Sequence, residues 1–120
     1  MNDRPPYDPG MQPGLRFHHV GIPTDTPHTG ERYLAQFKVY VCGYESSPYG
    51  IEWMRFEPGC PIPELVQRVP HVAFEVDDLS AAIAGKEILI EPNSPSEGVM
   101  VAFIVDNGAP VEFLQITKKK

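Results

Sequence analysis

Residues 70–79 read Pro70-His71-Val72-Ala73-Phe74-Glu75-Val76-Asp77-Asp78-Leu79, and an earlier stretch, His19-Val20-Gly21-Ile22, echoes the His71-Val72-Ala73-Phe74 within it. A second match lies downstream of each. Ile51-Glu52-Trp53-Met54-Arg55-Phe56 is echoed by Val111-Glu112-Phe113-Leu114-Gln115-Ile116. Each histidine is thus followed by a glutamate, 33 residues on in the first half and 41 in the second. Such a repeat means two copies of one supersecondary unit, and units this small must share a core to be stable.

All four stretches alternate as strands do, so residue parity says which side chains share a face. His19 shares its face with Phe17 and Gly21, and His71 with Ala73 and Glu75. Val20, Ile22, Val72, Phe74 and Val76 point the other way, where a helix could cover them. Glu52 shares a face with Met54 and Phe56, and Glu112 with Leu114 and Ile116. A carboxylate buried among such neighbours is costly without a counter-charge, and a divalent cation supplies one. Two imidazoles and two carboxylates suit zinc, nickel, cobalt, manganese or iron(II). Four ligands on an octahedral ion leave two positions for water or for a bidentate oxygen substrate. The expected metal set is therefore His19, Glu52, His71 and Glu112. Glu57, at the end of the strand that carries Glu52, is the alternative fourth ligand.

Other polar residues receive plainer readings. Parity turns His18 to the face opposite His19, as a surface or packing residue, and His28 falls in a solvated turn. Arg55 opposes Glu52 in parity and is expected to be exposed; Trp53 and Tyr49 are expected to pack. The walls of the site should include Phe17, Met54, Phe56, Val101, Phe103 and Leu114. Cys42 and Cys60 form no CxxC pair and read as reduced thiols.

Working outward, residues 1–14 carry four prolines and two glycines without apolar periodicity, which predicts a flexible tail. One domain should cover 15–117: a first module at about 15–57, a linker over 58–68 and a second module at about 69–117. In the second module the order is strand (70–76), short helix capped by Asp78 and ended by Gly85, strand (87–91), loop (92–98), strand (99–105), an Asp106-Asn107-Gly108 hairpin turn and a closing strand (109–116). The first module matches at both ends, with a short helical turn from Thr26-Pro27 through Tyr33, but is shorter in its middle, where one strand could be fused or missing. Pro63 to Gln67 should form one helical turn within the linker.

Bulk properties exclude several classes. A net charge of -6 argues against nucleic acid, and the Lys118-Lys119-Lys120 cluster reads as a solvated tail. No apolar run approaches a membrane span and no signal peptide opens the chain, so a cytoplasmic protein is expected.

These stretches, together with Asn107-Gly108-Ala109-Pro110-Val111-Glu112-Phe113, resemble the paired modules of the vicinal oxygen chelate superfamily, which includes glyoxalase I, bleomycin-resistance proteins and extradiol dioxygenases. The resemblance covers about 15–117 and implies an α+β fold: two pseudo-symmetric βαβββ modules forming one curved mixed sheet around a central site. It implies that the first and last strand of each module hold the metal, which falls on His19, Glu52, His71 and Glu112. The abbreviated helices mark a minimal member whose sheet is thinly covered, and a homodimer is one way to bury that surface. The implied activity is a lyase or isomerase of glyoxalase type acting on a small oxygenated substrate, with Glu112 or Glu52 as general base. An iron-dependent extradiol dioxygenase and a non-catalytic small-molecule trap of the same fold are the alternatives.

Overall fold

The computed structural model describes residues 14–117. The tail reading of residues 1–14, apart from Gly14, and that of Lys118–Lys120 lie outside the described residues. The elements are β1 (Arg16–Pro23), β2 (Arg32–Leu34), β3 (Val39–Cys42), β4 (Ile51–Phe56), α1 (Glu64–Arg68), β5 (His71–Glu75), α2 (Leu79–Ile83), β6 (Glu87–Ser96), β7 (Val99–Asp106) and β8 (Ala109–Ile116). The eight strands form one curled sheet in the order β2-β3-β4-β1-β5-β8-β7-β6. First and last strands of each half run parallel (β1 with β4, β5 with β8), and β1 and β5 join the halves antiparallel. This is the α+β architecture of paired modules expected from the repeat.

Local chemistry places the second half as read. The Asp78 carboxylate accepts the Ala81 N–H at 3.2 Å and starts α2, and Gly85, at φ 75°, lets the chain leave it. Asn107 and Gly108 both take positive φ, 51° and 84°, as a two-residue hairpin turn requires. A five-residue helix has no stability of its own. Packing supplies it: Leu79 and Val76 lie buried with Ala102, Ile104 and Phe113 on the outer face of β7 and β8.

Three expectations are corrected. No strand of the first half is missing: β2 and β3 are both present, though only three and four residues long. No helical turn forms over Thr26–Tyr33. The Thr24–Glu31 segment lacks an apolar stripe to bury, and the Glu31 carboxylate instead receives the His28 backbone N–H and both arms of Arg55. The predicted loop 92–98 is strand as far as Ser96, because β6 follows β7 through three register shifts. Pro92 and Pro95 are tolerated there since β6 is an edge strand.

The outer face of the first half is therefore built differently. His28 stacks on Trp53 at 5.2 Å, so it is half-buried rather than solvated. Arg55 lies over the Tyr40 ring at 4.1 Å and is held by Glu31, so it is not the free surface residue its parity suggested. No helix among the described residues is long and apolar enough to cross a membrane.

Candidate metal centre

The site forms where β1 and β5 cross at the middle of the sheet. Antiparallel register sets Gly21 opposite His71 and His19 opposite Ala73. These small residues are what admit the rings. A Cβ on Gly21 would collide with the His71 imidazole, lying 2.8 Å from Nε2 and 2.9 Å from Nδ1. Ala73, with no exposed surface, occupies the matching place beside His19. The parallel neighbours then bring in the carboxylates: Glu52 lies opposite Gly21, and Glu112 opposite Ala73.

Three ligand atoms converge. Glu112 Oε1 lies 3.0 Å from His71 Nε2 and 3.3 Å from His19 Nε2. All three residues are buried, and they form a group that can hold a metal ion. Adjacent ligands bound at ~2.1 Å to one ion stand about 3.0 Å apart in octahedral and about 3.4 Å apart in tetrahedral geometry. Both separations fall in that range, as does an ordinary hydrogen bond, and all three ligand atoms lie within 4.8 Å of one another. Glu52 stands farther out, with Oε1 at 3.6 Å from His19 Nε2 and a side chain 20% exposed. Glu57, the alternative fourth ligand, is engaged elsewhere: it accepts the Tyr33 hydroxyl at 2.7 Å.

The two carboxylates differ electrostatically. Burial alone would lift Glu112, but hydrogen bonds from His19 and His71, together with their charges, bring it down to about 2. Burial likewise raises Glu52, and the neighbouring histidines only partly counter it, so its carboxyl titrates above the usual range. Burial opposes a charge on His19, yet the Glu112 hydrogen bond and the charges of Glu112 and Glu52 outweigh it and raise its pKa.

His18 corrects a parity argument. Phe17 pairs with Phe74 while His19 pairs with Ala73, so β1 carries one extra residue at His18. This bulge turns His18 towards the site instead of the opposite face. Its Nδ1 lies 2.8 Å from His19 Nδ1, and its Nε2 lies 3.3 Å from the Tyr44 hydroxyl, with the Tyr44 ring stacked on it. Only one proton fits between the two Nδ1 atoms. Were His19 Nε2 to bind an ion, that proton would sit on His19 Nδ1 and His18 would accept it. Burial, followed by the charge of His19, lowers the His18 pKa and favours this neutral acceptor.

Around the centre lies a cavity of about 700 Å³. Met54, Val101, Phe103 and Leu114 line it as expected, but Phe17 and Phe56 do not. The bulge leaves Phe17 more than half exposed, and Phe56 lies at the end of β4 beside Pro23. Spacing gave no sign of the other walls, which include Arg32, Tyr44 and the linker residues Ile62 and Val66. A hydrogen bond from Gln36 to the Pro95 carbonyl, at 3.4 Å, bridges the two ends of the curled sheet.

No family model and no curated protein sequence matches the chain. Solved structures do. A hypothetical protein, BH1468, from Bacillus halodurans C-125 superposes with a TM-score of 0.66 at 19% identity, over 88% of this chain and 97% of that one. Methylmalonyl-CoA epimerase from Mycobacterium tuberculosis superposes with a TM-score of 0.53 at 16% identity, over 88% of this chain and 89% of its own. At such identities the likeness is one of fold: a curled eight-stranded sheet of paired modules, consistent with the βαβββ vicinal oxygen chelate fold.

Proposed function

We propose that the chain is a metal-dependent isomerase-like enzyme that holds a small substrate by two adjacent oxygens and moves a proton at the carbon beside a carbonyl. The observation that carries this is the division of labour between its two glutamates around one set of converging ligand atoms. His19, His71 and Glu112 would hold a divalent ion, with zinc, nickel, cobalt, manganese and iron all compatible with the donor set. Such an ion would supply a Lewis acid for the substrate's oxygens. Glu112, strongly acidic and bonded to two histidines, is suited to holding rather than to taking up protons. Glu52 is the opposite. Raised by burial yet still reached by solvent, it can accept a proton from carbon and return it to the same or a neighbouring carbon. The fold shared with an epimerase agrees with this class of reaction.

The test combines metal analysis with proton exchange. Protein prepared without affinity metal should retain or take up one divalent ion. A panel of small α-hydroxy ketones and 2-substituted 3-oxo thioesters in D2O should show metal-dependent exchange of the α-proton by NMR. Glu52→Gln should abolish exchange while keeping the ion. Unchanged exchange in that variant removes Glu52 as the base, and failure to bind any of the five metals removes the enzyme reading in favour of a small-molecule trap.

A second reading rests on the same group of three. Two histidines and one carboxylate, with Glu52 farther out, is also the ligand pattern of iron(II) oxygenases. Oxygen consumption by the iron-loaded protein with catechols would favour it.

A further inference from the structure

The proposed reaction leaves one charge in the cavity unexplained. Arg32, on the edge strand β2, lines the same cavity as the metal centre. Among the described residues no carboxylate lies within ion-pair distance of its guanidinium, whereas Arg16, Arg55 and Arg68 each have an acidic partner.

Register places it. Arg32 pairs with Val41, Val41 pairs with Met54, and Glu52 lies one side-chain step before Met54 on the same face. Two strand spacings and one such step put the Cα atoms of Arg32 and Glu52 roughly 12 Å apart. The curl of the sheet turns both side chains over one cavity, whose intervening wall is apolar: Leu34, Val39, Val41 and Met54.

Charge bookkeeping then points to the ligand. The ionisable side chains lining the cavity, apart from histidines and tyrosines, are Glu52, Glu112 and Arg32. A divalent ion balances the two carboxylates and leaves the Arg32 charge over. Arg32 is exposed at the rim of the cavity, where water solvates it in the empty protein; an anionic ligand seated in the cavity would meet its guanidinium, and a neutral one would not. A guanidinium is also the donor best shaped for a carboxylate. We infer that Arg32 anchors the far end of the substrate, which is a small carboxylic acid: adjacent oxygens at the metal end, a short aliphatic spacer along Val39, Val41 and Met54, and a carboxylate at Arg32.

This rests on the metal-site reading, and two probes keep the outcomes apart. Butyrohydroxamate and succinic monohydroxamate present the same pair of adjacent oxygens on chains of equal length, but only the second ends in a carboxylate. Their dissociation constants are measured by calorimetry on zinc-loaded protein, with wild type and Arg32→Gln compared at equal zinc content. The wild type should bind the succinic probe about tenfold or more tightly than the butyric one. In Arg32→Gln the preference should vanish with butyric affinity unchanged, and Arg32→Lys should restore part of it. Equal affinities in the wild type, or a preference that survives Arg32→Gln, overturn the assignment of Arg32. Failure of the butyric probe to bind the zinc-loaded protein overturns the metal-site reading itself, and this inference with it.

Discussion

Glu52 and Glu112 occupy matching positions in the two halves, yet one is part-exposed, at 20% of its side chain against 11%, and raised, while the other is buried and strongly acidic. The difference comes from the strands beside them. β7 runs the full length of β8 and places Phe103 directly opposite Glu112. β3 is only four residues long, and its ladder with β4 stops at Cys42 opposite Trp53. The next position, opposite Glu52, is Gly43, which turns away at φ 103°. A walled carboxylate sits on two histidines; the unwalled one makes one longer approach to a histidine and keeps some contact with water. The outer faces repeat the lesson. The second half is closed by α2 over an apolar cluster, the first by stacked rings and an arginine–glutamate pair. Shortening one copy of a repeated module is thus a way to give two equivalent side chains different chemistry.

The comparison breaks most sharply at the glutamates. Glu112→Gln should weaken metal affinity by at least about 100-fold, more than the loss of an outer-shell partner. Glu52→Gln should weaken it by less than about tenfold while removing proton exchange. A chelator competition assay reads both, and equal losses in the two variants would make the halves functionally alike.

Next comes the bulge, present in β1 and absent from β5. His18→Phe keeps a ring under Tyr44 but removes the acceptor of the His19 proton. Metal affinity should fall about 10–100-fold, as for other hydrogen-bond partners of ligating histidines. Gly21→Ala tests the crossing point. The added methyl displaces the His71 ring, and overpacking of this kind costs about 1–3 kcal/mol, readable by urea denaturation.

The effect of pH should follow the same asymmetry. In metal-free protein the His19 pKa lies above 6.5, so its contribution to stability is full below that value and lost as pH rises through the raised one. A metal needs the unprotonated ring. Affinity should therefore fall, by at most about tenfold per pH unit for this one group, as pH drops below the raised His19 value. Glu112 acts in the other direction: its contribution is present above pH 4.5 and lost as pH falls towards about 2. Acid titration of the metal-free protein should show this loss in the wild type and not in Glu112→Gln. The smallest effect belongs to the helix found only in the second module. Asp78→Ala should cost about 1 kcal/mol in thermal denaturation, the usual worth of an N-cap. Thr29→Ala, on the exposed loop that replaces that helix, should stay within about 0.5 kcal/mol.

Much of this was legible in the chain itself, because strand alternation and turn chemistry are local. The repeat of His-Val-Gly-Ile and His-Val-Ala-Phe marked two modules, and the spacing to Glu52 and Glu112 marked the strands that return beside them. Asp78, Gly85 and Asn107-Gly108 announced their cap and turns by residue type. What local pattern could not supply was register across the sheet. One unpaired residue in β1 brought His18 into the site and moved Phe17 out of it. The short β3 decided which glutamate is walled, and the curl of the sheet brought Arg32, three strands from β1, into the same cavity as the centre. The sequence determined which residues could meet, since side-chain parity is a property of one strand. Which of them do meet, and how tightly, belongs to the tertiary structure, because bulges, ladder ends and curvature are relations between strands.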